Sequence, residues 1–241
     1  MRLLLNGLLA AVSLLFISTV GPLSIWMLVN APTWIGVLIA LLGLSCLSLL
    51  CMLSALYVTK SLIPRRWQRV AAGNGLIIVL LGAFILFSAP TGIAPLESPI
   101  QQHFANEGRF RRFAISNIVP EAEQINLGYL LMTYADPILT AEQAETVSKI
   151  TRDLYADMDA DPNFYALGST MGLAYNELIG LPYGQGHYYL YTPQTQTAKP
   201  LPAILFLHGS VGNFKPYSYV WSQLAEEEGI IIIAPSYGFG N

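Results

Sequence analysis

The residues best suited to chemistry form a short stretch near the end of the sequence, His208-Gly209-Ser210-Val211-Gly212-Asn213. Serine and histidine are the usual nucleophile and base of acyl transfer. Neither Gly-x-Gly-x-x-Gly nor Gly-x-x-x-x-Gly-Lys-Ser/Thr occurs in the chain, which disfavours a glycine-rich phosphate site. We call this stretch the His-Gly-Ser turn. The chemistry open to it depends on the strands and helices that position it.

Two continuous apolar segments, 203–207 and 230–234, flank the turn and the helix expected at 216–228. Continuous apolar runs indicate strands buried on both faces. Gly229 ends the helix, and a tyrosine-rich strand is expected earlier, at 187–192. The side chains expected to point inward from the helix are Val220, Trp221, Leu224 and Ala225. The order strand, turn, helix, strand predicts a right-handed βαβ unit with a parallel pair of strands.

An apolar strand running into His-Gly-Ser-x-Gly-Asn and then a helix resembles the oxyanion-hole turn of the α/β-hydrolase superfamily, in particular its esterase and dienelactone-hydrolase-like members. The resemblance covers residues 187–241, under a quarter of the chain. It implies that backbone N–H groups of Ser210 and Val211 bind the oxyanion of an acyl-transfer intermediate. It further implies that His208 and Gly209 shape the turn, where glycine lets the backbone approach a substrate.

The nucleophile of this family is a serine in Gly-x-Ser-x-Gly, followed along the chain by an acid and a histidine. The sequence never contains this pentapeptide. Its nearest variant is Ala234-Pro235-Ser236-Tyr237-Gly238, where Pro235 stiffens the chain and no histidine follows. The resemblance therefore implies an oxyanion turn and leaves the nucleophile unknown.

The expected fold is a membrane anchor of α-helices followed by the start of an α/β-hydrolase parallel sheet, apparently truncated. The expected function is that of a membrane-anchored serine esterase or acyl hydrolase, inert as it stands because nucleophile, acid and histidine are missing. Its expected substrate is a small-molecule ester or similar acyl compound, and the sequence does not indicate which one. The alternative is a non-enzymatic membrane protein whose external α/β segment binds a ligand or partner.

Metal, cofactor and nucleic-acid chemistry find little support in the sequence. None of the three histidines has ligand-like local spacing: His103, His187 and His208. The second half of the chain is acidic and carries no basic face suited to nucleic acid. We therefore expect no metal, no cofactor and no nucleic-acid partner.

Four residues alternate as calcium ligands do at the start of an EF-hand loop: Asp157, Asp159, Asp161 and Asn163. Pro162 and Gly168 stand where that loop needs Gly and Glu. Asp161 is better interpreted as a helix cap, with Pro162 at the first helical position and the helix stopped by Gly180 and Pro182.

The first part of the chain predicts membrane-spanning helices. Residues 3–59 contain no Asp, Glu, Lys, Arg or His and are divided by Asn30-Ala31-Pro32-Thr33. Because about 20 apolar residues span a bilayer, this stretch predicts two helices, 3–29 and 34–58, and a third is expected at 70–89. A cleaved signal peptide is the rival interpretation of the first segment, whose apolar run is long for one. Spans without ionisable residues indicate an anchor rather than a transporter.

Charge sets the expected orientation. The loop 60–69 holds four cations, and no carboxylate occurs before residue 90. By the positive-inside rule this loop faces the cytoplasm. The acidic remainder then lies on the extracytoplasmic side, and we expect an integral protein of a bacterial cell membrane with the lipid bilayer as its partner.

Residues 1–89 are thus the transmembrane region, 90–182 a helical connecting region and 183–241 the partial hydrolase core. Within 98–116, alternating aromatic and arginine side chains indicate a helix lying on the membrane or packing its aromatics inward. Thr140 and Gln143 form a capping box for a helix ending near Asp157. The apolar stripe expected on that helix is Val147, Ile150, Leu154 and Met158.

Overall fold

The computed structural model describes residues 2–59, 64–104, 115–171, 187–194, 200–208 and 215–236. The chain divides into two compact units, Met1–Ser88 and Ala89–Asn241.

Three long helices make up the first unit: α1 (Arg2–Asn30), α2 (Trp34–Thr59) and α3 (Arg65–Ser88). All three are long and apolar enough to cross a membrane, which confirms the expected spans. Helix α3 begins five residues before the predicted position 70. The amides of Trp67 and Gln68 both donate to the Pro64 carbonyl, so helical hydrogen bonding continues into the charged flank. These helices indicate an integral membrane protein.

Small and polar residues bring the three helices together. Ala40 is fully buried, and a Cβ added at Gly43 would meet the Ser24 side chain. The side-chain amide of Asn74 in α3 donates to the Ser45 carbonyl of α2 at 2.9 Å. Close packing at small residues and interhelical hydrogen bonds are what associate helices in lipid, where burial of apolar surface offers no driving force. The first unit is therefore a bundle of helices that contact one another through small and polar residues.

The second unit contains a four-stranded sheet in the order β1-β2-β4-β3. Its strands are β1 (Ile100–Phe104), β2 (His187–Tyr191), β3 (Ala203–Leu205) and β4 (Ile231–Ser236). Strands β3 and β4 are parallel, as the βαβ prediction requires, but β2 is antiparallel to both β1 and β4. The sheet is therefore mixed, not parallel throughout.

Strand β1 corrects the prediction that residues 90–182 are helical. It pairs along its full length with β2, from Ile100 opposite Tyr191 to Phe104 opposite His187. The helix expected at 98–116 is wrong at its start, because Ile100 is buried in the core and the tyrosine-rich β2 offers a complete pairing partner. The arginines of that segment lie outside the described residues.

Five helices accompany the sheet among the described residues: α4 (Ile115–Ile118), α5 (Glu121–Tyr134), α6 (Ala141–Ala160), α7 (Pro162–Ala166) and α8 (Lys215–Glu228). The Thr140–Gln143 capping box of α6 is confirmed, and the helix continues to Ala160, past Asp157. The Asp161 cap and Pro162 at the first position of α7 are also confirmed.

Helix α7 is much shorter than predicted. It ends at Ala166, and Gly168 follows with φ of 71°, a left-handed conformation that stops a helix. The expected continuation to Gly180 and Pro182 falls largely on residues 172–186, outside the described part of the chain.

The core of the second unit lies between one face of the sheet and the helices. Of the apolar stripe predicted for α6, Met158 is buried but Ile150 is 62% exposed. Tyr155, which was not part of the predicted stripe, is the other buried residue of this helix. The buried cluster is Ala94, Ile100, Ala122, Ile125, Tyr155, Met158, Phe164, Leu167, Tyr189, Tyr191, Ala225, Ile232 and Ala234. It connects all the strands except β3 with α5, α6, α7 and α8, so these elements form one packed layer structure.

Candidate active site at the end of strand β3

In the chain, the His-Gly-Ser turn lies between β3, which ends at Leu205, and α8, which begins at Lys215. The parallel ladder extends past β3, because the Phe206 amide donates to the Ile233 carbonyl at 2.8 Å. His208 is then buried at 2% exposure, while Gly209, Ser210 and Val211 lie outside the described residues. In open α/β sheets, ligands bind outside the carboxyl ends of the strands. The position of the turn therefore suits a binding or catalytic role.

A buried cation marks the point where the chain enters α8. Lys215, the first residue of the helix, is only 4% exposed. Its Nζ donates to the Gly168 carbonyl at 3.0 Å and lies 3.7 Å from Asp159 Oδ1. These contacts tie the start of α8 to the segment that follows α7.

The Gly168 carbonyl is itself held in place by its neighbours. A Cβ at position 168 would lie 2.8 Å from Asn117 Cγ, so only glycine fits beside this asparagine. The next amide, of Ser169, donates to Asn117 Oδ1 at 3.2 Å. Asn117 is buried, and its Nδ2 has no hydrogen-bond partner among the described residues. The segment after α7 is thus fixed by a close, polar contact with α4.

Glu121 of α5 forms hydrogen bonds both to Tyr155 of α6 and to Thr170 in the segment after α7. This carboxylate is 4% exposed and accepts hydrogen bonds from the Tyr155 hydroxyl at 2.7 Å and from the Thr170 amide and hydroxyl. Burial, together with the adjacent Glu121 charge, raises the pKa of the Tyr155 phenol well above its usual value. The phenol therefore stays protonated and remains a donor to Glu121.

Asp159 is the less buried partner of Lys215, and its side chain is 31% exposed. Burial raises the pKa of the Asp159 carboxyl above its usual value; the Lys215 cation opposes this rise and the Glu121 charge adds to it. Desolvation therefore outweighs the attraction of the ion pair. Asp159 pairs with Lys215 and Asp161 caps α7, so these two acids have structural partners within the candidate calcium sequence.

The nearest variant of a nucleophile elbow lies in a strand. Ser236 is the last residue of β4 and stands opposite His187, while Pro235 stands opposite Tyr188. A nucleophile elbow requires a sharp turn from strand to helix after the serine's strand. Residues 237–241 lie outside the described part of the chain, so the structure shows Ser236 only as the end of a paired strand.

The three histidines occupy different places. His103 lies in β1 and stacks on Tyr188 with ring centroids 4.7 Å apart, His187 begins β2, and His208 follows β3. Within the described ranges there is no group of three or more His, Cys, Asp or Glu residues arranged to hold a metal ion.

Apolar side chains are exposed on β3, just after it and on α8, contrary to the sequence prediction. All three residues of β3 are exposed, although the apolar run predicted burial on both faces; Leu205 in the strand and Leu207 beyond it are each 60% exposed. On α8 the predicted inward residues Val220, Trp221 and Leu224 are exposed at 51%, 37% and 38%. Only Ala225 of that set is buried. The buried face of α8 is instead Lys215, Pro216, Ser218, Ser222 and Ala225.

We call this apolar surface the β3–α8 surface, formed by Ile204, Leu205, Leu207, Tyr217, Val220, Trp221 and Leu224. Its location follows from the strand order, which places β4 inside the sheet and leaves β3 at the edge. Exposed apolar edges of this kind favour pairing with further strands.

Sequence reasoning missed the buried polar network. Lys215 was outside the predicted helix, and Glu121, Asn117 and Gly168 had no motif to mark them. One sequence feature was available: a cation in the first turn of a helix opposes the helix dipole. Its partners lie 47 and more residues away in the chain, beyond the reach of local patterns.

Comparison with protein-family models, with curated proteins and with solved structures gave no match.

Proposed function

We propose that this chain is a membrane-anchored α/β-hydrolase-like protein of the serine esterase or acyl hydrolase class, with its second unit on the extracytoplasmic side. The observation that carries the proposal is the parallel β3–α8–β4 unit with His-Gly-Ser at the turn between β3 and α8. In α/β-hydrolases, one oxyanion-hole amide comes from the loop between the third strand and the helix after it. The His-Gly-Ser stretch here also follows β3 along the chain and precedes a helix, which supports the proposal.

The mixed sheet supports the proposal. An open sheet that starts with antiparallel strands and continues into a parallel βαβ unit resembles the start of the α/β-hydrolase sheet. Strands β1 and β2 form that antiparallel start here, and β3 and β4 the parallel continuation. The strand order leaves β3 as the edge on which further strands of such a sheet would pair.

The chemistry assigned to the turn is stabilisation of a developing negative charge. Amides of Ser210 and Val211 would donate hydrogen bonds to the oxyanion, a contribution of roughly 10²- to 10³-fold in rate per donor in enzymes. The 241 residues contain no Gly-x-Ser-x-Gly, so they supply no activated nucleophile. Without one, these residues are expected to hydrolyse nothing at a measurable rate.

The β3–α8 surface indicates where the remaining chemistry would be added. A parallel strand is normally covered on both faces by helices, yet Leu205 and Leu207 are each 60% exposed. A further strand and helix packed against β3 and α8 would bury this surface.

The experiment exposes the purified 241-residue chain in detergent to a serine-directed fluorophosphonate probe and, separately, reads the gene's frame past Asn241. We expect no labelling, and we expect the frame to encode Gly-x-Ser-x-Gly followed by Asp or Glu and then His. Stoichiometric labelling at Ser210 or Ser236 would contradict the proposed inactivity. A frame without an elbow would contradict membership of the hydrolase class.

A second candidate function, binding of a partner or ligand by a non-enzymatic domain, is favoured by the same exposed surface. Extended apolar patches on soluble units mark interaction sites. The isolated fragment 90–241 is then expected to self-associate through β3, because β4 lies between β2 and β3 in the sheet.

Two variants of that fragment separate the possibilities. The pair Leu205→Glu and Leu207→Glu should make it monomeric, whereas Leu131→Glu, at an exposed leucine on α5, should not. Light scattering measures the outcome. A wild-type fragment that is already a monomer with a sharp cooperative melt would show a complete domain and favour the binding role over the hydrolase.

A further inference from the structure

The first residue of α8 is a lysine in an unfavourable place. A cation in the first turn of a helix is repelled by the positive end of the helix dipole. Lys215 is also buried, at 4% exposure, and removing an ammonium group from water is costly unless it is paired. Neither helix formation nor simple core packing accounts for a lysine here.

Both partners of Lys215 belong to the helical segment between β1 and β2. Nζ reaches the Gly168 carbonyl at 3.0 Å and Asp159 Oδ1 at 3.7 Å. Both lie beside α7, at the end of α6 and just after α7. The lysine therefore bridges the start of α8 to a segment about 47 residues earlier in the chain.

The far end of this bridge is rigidly built. Asn117 leaves no room for a side chain at Gly168 and accepts the Ser169 amide. Glu121 accepts both the amide and the hydroxyl of Thr170. Consecutive residues 168–170 thus each make a buried contact beside the carbonyl that receives Lys215.

We propose that Lys215 is a positioning residue: it fixes the start of α8, and through it the His-Gly-Ser turn, against the segment Gly168–Thr170. Its importance for catalysis rests on the proposed function, since only an oxyanion-binding turn needs amides held to within a fraction of an ångström. The positional coupling itself does not depend on that function.

The test uses the full chain in detergent with three variants. Lys215→Met removes the cation and keeps the length of the side chain, Asp159→Asn removes the weaker partner's charge, and Lys149→Met on the exposed face of α6 is the matched control. Amide hydrogen exchange is followed at 169–171 and at 219–222, the amides that bond to the first turn of α8.

A reporter on the turn completes the design. The substitution Ser210→Cys is introduced into each background, and the rate at which the new thiol reacts with a water-soluble maleimide is measured. With Lys215→Met we expect exchange at both segments to rise about tenfold or more and the reaction rate of the reporter thiol to change several-fold. Asp159→Asn should produce smaller changes at the same sites, and Lys149→Met none.

Three results would overturn the proposal. One is unchanged exchange in Lys215→Met. Another is exchange that rises equally in β1 and β2, which would make Lys215 an ordinary stabilising residue. The third is locally raised exchange with an unchanged rate at the reporter, which would uncouple α8 from the turn. The hydrolase proposal is tested by different measurements, namely labelling with the fluorophosphonate probe and the sequence encoded after Asn241.

Discussion

Replacement of Gly168 by alanine should destabilise the second unit well beyond the usual cost of losing a glycine. Two effects add. A left-handed backbone costs an L-residue roughly 1–2 kcal/mol, and Gly168 has φ of 71°. A Cβ there would also lie 2.8 Å from Asn117 Cγ, forcing this buried side chain away from the Ser169 amide. Losing a buried hydrogen bond costs about 1–3 kcal/mol, giving a total of about 2–5 kcal/mol.

Gly229 provides a matched control for this prediction. Its φ of 66° is nearly the same, but a Cβ there would meet only Leu201 Cδ2 at 3.8 Å, an ordinary contact. Gly229→Ala should therefore cost only the backbone contribution, about 1–2 kcal/mol. The two variants should differ by about 2 kcal/mol in free energy of unfolding, and this difference measures the effect of the close contact with Asn117.

The assay is urea titration of the full chain in detergent with a short proteolysis pulse, which cleaves the unfolded second unit. With a denaturant slope of about 2 kcal/mol per molar urea, the Gly168→Ala midpoint should lie about 1 M below that of Gly229→Ala. Equal midpoints would refute the reasoning, because they would mean that Asn117 moves aside without loss. Adding Asn117→Ala to Gly168→Ala should recover less than the full difference, since the Ser169 amide stays unpaired.

Three further predictions concern orientation, pH and the anchor. Gln68→Cys should react with a membrane-impermeant maleimide only after cells are opened, and Gln194→Cys in intact cells; equal labelling of both from outside would contradict the orientation. Because burial raises the pKa of Asp159 above its unfolded value, its ionisation opposes folding above that pKa and the penalty is relieved as pH falls through it. The melting temperature of wild type minus that of Asp159→Asn should thus increase as the pH is lowered from neutral towards the ordinary pKa of an aspartate, and a decrease would refute the direction of the shift. Asn74→Leu removes the bond to Ser45 and should weaken helix association in the anchor by about 0.6–2 kcal/mol in an unfolding assay; no loss would show that this bond contributes nothing to the association.

Elements that depend on local pattern could be predicted from the sequence. The three spans follow from apolar length alone, because a bilayer requires about 20 apolar residues whatever lies around them. The Thr140 box and the Asp161 cap follow from residues within three positions of each other. The parallel pairing of β3 and β4 follows from their connection through a helix.

Burial of individual faces did not follow from local pattern. The apolar side of α8 predicted Val220, Trp221 and Leu224 inward, yet they are exposed, and the polar side bearing Lys215 and Ser218 is buried. A periodic pattern shows that a helix has two faces, but which face meets the core depends on what packs there. Here a lysine with distant partners lies on the buried face, and the apolar face of α8 is exposed.

The sequence by itself determined the membrane anchor, the βαβ unit and the position of the His-Gly-Ser turn between a strand and a helix. Tertiary structure alone decided that β1 is a strand, that β4 is interior while β3 is the edge, and that Lys215 is tied to Gly168. Each of these depends on groups tens of residues apart in the chain. Such pairings are selected by the free energy of the whole packed unit, in which a polar group enters the core only where its partner is already placed.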